Sequence, residues 1–186
     1  MPRAGLDPEA VVTAAAALAD SHGLESLTLS RLAERLGVRP PSLYAHVAGL
    51  EDVRGRLAAR GARELAGRLQ AAAAGRARGD ALAAVAEAYA AYAREHPGTY
   101  AALQRAPAAD DEQGAAAAAQ LLEVVTAVLR GYGLEDDDAV HAVRILRAAL
   151  HGFVSLEAAG GFEMPVDLDE TFARLVALLD AGLSAG

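Results

Sequence analysis

Apolar residues recur along this chain at spacings of three and four, the period of a helix that buries one face. No stretch alternates apolar and polar positions over the length of a half-buried strand. Alanine, leucine, arginine and glutamate, all good helix formers, dominate the segments between glycines and prolines. The expected fold class is therefore all-α.

The punctuation predicts about nine helices. Asp7 is suited to cap the first, with Pro8 and Glu9 in its first turn and Leu6 and Val11 at hydrophobic-staple positions. That helix runs to about Ser21 and stops before Gly23. The second is capped by Thr28, framed by Leu27 and Leu32, and ends at Gly37, which can turn left-handed at low cost. The third is short, Pro40–Val47, with two prolines in the turn where a missing N–H matters least. A fourth follows from about Leu50 to Ala74, and Gly75–Gly79 is a joint. Beyond it come Asp80–Glu95, a short helix near Thr99–Arg105, a helix from the acidic turn Asp110–Glu112 to Arg130, Glu135–Ala158, and about Glu170–Leu183. The pattern divides into residues 1–49 (three small helices), 50–74 (a connector) and 75–186 (a bundle).

Composition narrows the class. Of 186 residues 53% are hydrophobic and 23% charged, the balance of a soluble globular chain. The alanine run Ala115–Ala119 is far too short to cross a bilayer, and no charged, then apolar, secretory leader opens the sequence. Cysteine is absent, which excludes disulfides, cysteine–zinc sites and thiol nucleophiles and fits a cytoplasmic location. No Ser-His-Asp order, metal-spaced His/Glu pair or phosphate-cradling glycine loop suggests an enzyme, and no cofactor or metal is expected. The net charge of −8 is unevenly spread: residues 28–63 hold seven arginines against three acids, while residues 65–186 hold nine arginines against seventeen acids. A modestly basic segment thus adjoins an acidic body, a weak pointer to an anionic partner.

The strongest constellation is Thr28–Val38 followed by Arg39–Val47. Leu32, Leu36, Val38, Leu43 and Val47 can form one small core between two crossed helices, with Ala33 allowing close approach and Gly37 the tight turn. Such a helix-turn-helix aims its second helix outward, as DNA-reading modules do. Arg39 can pair with guanine or phosphate, Ser42 and Tyr44 offer hydroxyls, His46 can donate to phosphate, Pro41 or Ala45 can touch a thymine methyl, and Thr28 lies at a helix N-terminus suited to phosphate. Geometry alone leaves a plain helical hairpin, or a helical binding module without DNA activity, as alternatives.

Leu27–Val47, with Ser42-Leu43-Tyr44-Ala45-His46-Val47 at its centre, resembles the tetracycline-repressor (TetR) family, and the similarity extends over residues 6–65. The resemblance implies that Thr28, Pro41, Ser42, Tyr44 and His46 occupy DNA-contact positions. Leu50 stands where such proteins usually carry a phosphate-gripping lysine, and Ser30 where a basic residue sometimes lies; Arg39, Arg54 and Arg56 are the cations at hand to compensate. In the second half, His151-Gly152-Phe153 through Gly160-Gly161-Phe162 resembles the WHG-type ligand-binding and dimerisation domain, with Leu150 in place of the tryptophan.

This resemblance implies a homodimer acting on a near-palindromic double-stranded DNA operator, its two recognition helices about 34–36 Å apart. It also implies a small apolar effector in the C-terminal body, whose binding shifts the 50–74 connector and changes that separation. Membrane association is not expected. The last two helices are apolar on more than one stripe, as helices with an inner and an outer partner should be. Ala148, Gly152, Ser155, Phe172, Leu175 and Leu179 are the candidate dimer residues, a well-buried monomer core being the alternative. Tyr89, Tyr92, Tyr100, Leu103, Gln104, His141 and His151 are candidates to line the effector pocket. His141 and His151 lie about three turns apart on one helix, too far to hold one ion jointly.

Overall fold

A computed structural model describes residues 6–185; residues 1–5 and Gly186, at the outer ends of the first and last predicted domains, lie outside the described residues. Nine α-helices and no strand occur among the described residues. They are α1 (Pro8–His22), α2 (Leu29–Leu36), α3 (Pro40–Leu43), α4 (Leu50–Ala73), α5 (Arg78–Glu95), α6 (Pro97–Leu103), α7 (Glu112–Arg130), α8 (Asp136–Ala158) and α9 (Leu168–Ser184). A 3-10 turn at Leu24–Ser26, not signalled by the pattern, joins α1 to α2.

The caps explain most boundaries. Asp7 accepts the Ala10 N–H at 2.7 Å, and Thr28 Oγ1 accepts the Arg31 N–H at 3.2 Å. Asp167 accepts from Asp169 and Glu170, which starts α9 at Leu168 and not at Glu170 as the pattern predicts. Pro97 opens α6 two residues earlier than expected, in a position where proline is pre-organised for a helix.

The third helix is shorter than the predicted Pro40–Val47. Regular helix stops at Leu43, and Tyr44–His46 continue as a turn in which the N–H groups of His46 and Val47 both donate to the Leu43 carbonyl, at 2.9 and 3.0 Å. The reason lies one residue further on. Continuing the helix through Val47 requires the Ala48 N–H to reach back to Tyr44; instead it donates to the Asp52 carboxylate at 2.7 Å.

The chain divides into two compact units that do not follow the sequence order. The first comprises the residues up to Arg63 together with Glu95–Ala119; the second comprises Glu64–Arg94 and the residues from Gln120 onward. The first unit therefore holds α1, α2, α3, the first part of α4, all of α6 and the start of α7. One apolar core unites Val11, Leu18, Leu27, Leu32, Ala33, Leu43, Val47, Val53 and Leu57, and Ala102 of α6 belongs to it.

The second unit contains the rest of α4 and α7, nearly all of α5, and α8 and α9. Its largest buried side chains include Leu65, Leu69, Leu82, Tyr92, Leu129 and Phe172. The Phe153 ring lies 4.9 Å from that of Phe172 and 5.1 Å from that of Phe162. Arg94 Nε donates to both carboxylate oxygens of Glu157, tying α5 to α8. Val140, Ile145 and Leu156 on α8 and Leu178 on α9 are each about half exposed or more in the single chain.

Candidate nucleic-acid interface

The hairpin of α2 and α3 is built from its buried side. Leu32, Ala33 and Leu43 are almost wholly inaccessible, Val47 nearly so, and Leu36 and Val38 pack against the same core. Gly37 adopts φ +67° and ψ +30°, and the Val38 N–H returns to the Ala33 carbonyl at 3.0 Å, closing a left-handed C-cap. No other residue type takes that conformation as cheaply, so the crossing of the two helices depends on this glycine.

With the apolar residues turned inward, the outward set is fixed. Arg39, Pro40, Pro41, Ser42, Tyr44 and Ala45 are exposed and His46 is half-buried. Tyr44 is 61% exposed, which is unusual for so large an aromatic in an otherwise well-packed unit. Arg39 precedes α3 in extended conformation, and its guanidinium, a donor with nothing to offer a helix N-terminus, lies on the exposed side. All six sequence-predicted DNA-contact residues, Thr28, Arg39, Pro41, Ser42, Tyr44 and His46, are accessible to some degree and belong to one hairpin.

Comparisons with known proteins decide what this hairpin is part of. Residues 11–48 match the family description "Bacterial regulatory proteins, tetR family", and residues 82–179 match "Tetracyclin repressor-like, C-terminal domain". A curated relative, the uncharacterised HTH-type transcriptional regulator Rv0681 of Mycobacterium tuberculosis, is 41% identical over 97% of this chain and 83% of its own length. The chain belongs to the TetR family of helix-turn-helix transcriptional regulators. A second curated relative, the uncharacterised HTH-type transcriptional regulator YobS of Bacillus subtilis, is 37% identical over 98% of this chain and 95% of its own. Solved structures share the fold: a protein of unknown function from Rhodococcus sp. RHA1 (TM-score 0.81, 21% identity, 97% of this chain and 96% of that one) and the TetR regulator SCO7222 of Streptomyces coelicolor (TM-score 0.72, 22% identity, 97% and 98%).

Where this TetR protein departs from the usual pattern, the geometry is informative. Leu50, in the place of the usual lysine, opens α4 half-buried and packs against the hairpin core. Arg54 and Arg56 are both engaged by neighbouring acids: Arg54 with Glu51 at 2.8 Å, and Arg56 with Asp52 at 2.7 Å. Arg31 donates to the Ser26 carbonyl at 3.2 Å. Among the described residues Arg35 and Arg39 are exposed with no such partner, so with Arg31, whose partner is a carbonyl and not an acid, they are the hairpin cations that can meet phosphate without first breaking an ion pair.

Sequence reasoning missed Asp52. Burial pushes its carboxyl pKa up, but the hydrogen bonds from Arg56 and from the Ala48 N–H, with the Arg56 charge, outweigh that and hold it below the ordinary carboxylate value of 3.8. Asp52 thus pins the turn that follows the recognition helix. The local signal was present, an acid in the first turn of a helix, a position that can reach back to free amides.

The candidate effector residues divide between the units. Tyr89, Tyr92, His141 and His151 belong to the second, whereas Tyr100, Leu103 and Gln104 belong to the first, on and beside α6. Tyr92 is wholly buried with its hydroxyl donating to Glu64 at 3.2 Å, and the Arg68 guanidinium lies 5.1 Å from its ring centroid. His141 is exposed on α8, and His151 is half-buried beside the Ser155 hydroxyl at 3.3 Å. Of the candidate dimer residues, Ala148 is exposed and Gly152, Ser155, Leu175 and Leu179 are half-buried. Phe172 is 1% exposed and faces Phe153 within its own unit, so its ring is not free to meet a second chain.

Proposed function

We propose that this TetR-family regulator is a ligand-responsive repressor of adjacent genes, acting in the cytoplasm as a homodimer on a near-palindromic operator. The observation that carries the reading is that one hairpin, its apolar residues otherwise buried, exposes both Tyr44 and Arg39. Tyr44, Ser42 and Pro41 would contact bases and sugar, while Arg39, His46 and Thr28 would contact phosphate or guanine. Residues 1–49 would read the DNA, the α4 region 50–74 would connect, and residues 75–186 would serve the effector and the dimer.

The outer faces of α8 and α9 support a dimer. Ile145 and Leu178 are too exposed for a free monomer to favour, and Ala148, Gly152 and Ser155 lie on the same helix as Ile145, small enough for a second helix to approach closely. Helix α8 is also long and apolar enough to cross a membrane by length and composition. Arg144 and Arg147 near its middle favour a helix pair in water over lipid. A small apolar effector, held among Tyr89, Tyr92, His141 and His151, would bias the dimer toward a spacing that the operator does not fit.

Selection of binding sites from random double-stranded DNA, followed by footprinting upstream of the protein's own gene, tests this function. The expected result is a protected near-palindrome with half-sites about one helical turn apart. Failure to enrich any sequence, with binding that shows no dependence on salt, would make the protein a helical binding module instead.

A further inference from the structure

Helix α6 lies in the chain segment that the sequence assigns to effector binding, yet it is built into the unit that carries the recognition helix. The joint is specific. His96, the residue before α6, makes no capping bond with its own side chain. The N–H of Thr99, the third residue of the helix, is instead accepted at 2.7 Å by Oδ1 of Asp20, seventy-nine positions earlier on α1. Asp20 Oδ2 also takes the Thr99 hydroxyl at 3.2 Å and lies 3.3 Å from His96 Nδ1. One carboxylate of α1 therefore caps α6 and binds both residues that flank its first turn. Thr99 is 1% exposed, so its amide and hydroxyl have no water to turn to if Asp20 withdraws.

The surrounding backbone is equally close. A Cβ on Gly98 would lie 2.1 Å from the Ala19 carbonyl carbon, so any residue but glycine would push α6 off α1. On the other side, a Cβ on Gly61 of α4 would come within 2.8 Å of the Thr99 methyl. From there α6 contributes Ala102 to the core that also holds Leu43 and Val47, the anchors of the recognition helix. The covalent link is short as well: α5 ends at Glu95 and α6 begins at Pro97, so a single residue, His96, joins the two helices. Tyr89 and Tyr92, the candidate effector residues of α5, lie on that same helix.

We infer that Asp20 is a positioning residue for DNA binding, the clasp through which α6 sets the recognition helix and through which effector binding releases it. The inference rests on the ligand-responsive reading above and adds the place where the signal enters the DNA-reading unit. Linkage makes it testable without an effector. If the clasp favours the DNA-bound form, DNA must favour the clasp by the same factor.

The test uses the full-length protein and a DNA fragment selected by the wild type. Addition of that fragment should slow hydrogen exchange of the buried Thr99 amide roughly tenfold, although DNA cannot touch it. Asp20→Ala should weaken operator binding by a similar factor, with far-UV helicity and dimer mass unchanged. Asp20→Asn, which keeps an oxygen for the Thr99 N–H, should restore most of the affinity. If Asp20→Ala does not fold, Thr99→Val removes one of the three contacts at nearly constant shape and supplies the affinity measurement. Thr99 exchange that is the same with and without DNA overturns the inference, as does Asp20→Ala, or Thr99→Val in its stead, binding the operator as the wild type does. A wild type that selects no DNA overturns the function itself and is recognised before any variant is made.

Discussion

Asp52 accepts the main-chain N–H of Ala48 at 2.7 Å, and the same carboxylate takes Arg56 Nε at 2.7 Å on its other oxygen. The first bond ends the recognition turn and the second anchors the start of α4. Asp52→Ala should therefore cost about 1–2 kcal/mol of stability, as loss of a good cap does, measured by urea unfolding. The pH dependence has a definite sign. Because the folded carboxyl is held below 3.8, its contribution is complete above that value and fades as pH falls through the lower folded pKa. The stabilities of wild type and Asp52→Ala should accordingly converge as pH falls well below 3.8, and persistence of the full gap in strong acid would contradict this account.

Gly37 stands in open space, with nothing within 4 Å of where a Cβ would go, so only its backbone conformation resists substitution. Gly37→Ala should lose about 1–2 kcal/mol by thermal melting, the cost of a left-handed non-glycine residue. Gly37→Asn should lose less, because asparagine visits that region more readily. Equal losses for the two variants would point to crowding that the geometry does not contain.

Tyr44 and Arg39 should separate reading from attraction. Tyr44→Ala is expected to abolish operator binding with no change in melting temperature or dimer mass, since its ring is mostly in solvent. Arg39→Ala should weaken binding to every sequence if it meets phosphate, and lower the slope of log affinity against log salt by about one. If instead it reads guanine, the salt slope changes little and one position of the site loses its preference. Gel shifts across a salt series on operator and random DNA distinguish the two.

Ile145 and Leu178 test the dimer. A charge at either exposed position, Ile145→Asp or Leu178→Asp, should leave the single chain folded and shift its light-scattering mass to that of a monomer. Operator affinity should fall with it, because two half-sites then bind independently. A dimer that survives both substitutions would place the interface elsewhere.

Tyr132 donates its hydroxyl to Asp180 at 2.5 Å, joining the end of α7 to α9. Burial first, and then the bond to Asp180 and its charge, raise the Tyr132 pKa well above the ordinary value of 10. The neutral phenol is thus the form the fold favours. Its contribution is whole below about pH 10 and is lost as pH climbs toward the folded pKa. Tyr132→Phe should cost about 1–2 kcal/mol at neutral pH and blunt the alkaline loss of stability. A wild type and variant that lose stability in parallel above pH 10 would refute this.

The helices and most caps were legible because they depend on local chemistry. Asp7, Thr28 and Gly37 announce boundaries within a few residues of themselves. The recognition hairpin was legible for the same reason, since its core residues and its turn fall within one short stretch. What the pattern could not show is where partners come from a distance. The end of α3 is decided by Asp52 in the next helix, and the start of α6 is capped by Asp20, seventy-nine residues away. Arg54 and Arg56 look like available cations in sequence and are held by acids in space. Phe172 reads as one more apolar residue on a two-faced helix, and only its approach to Phe153 shows which face it serves.

The interleaving of the two units has a consequence for synthesis. A ribosome delivers α1, α2 and α3 first, yet the core they share stays open until Ala102 emerges, and Asp20 has no helix to cap until Thr99 follows His96 out of the exit tunnel. The nascent chain therefore cannot finish its DNA-reading head before part of the succeeding segment exists. A truncated product ending before α6 should therefore be poorly packed, its α1–α3 core lacking Ala102 and its Asp20 lacking a helix to cap.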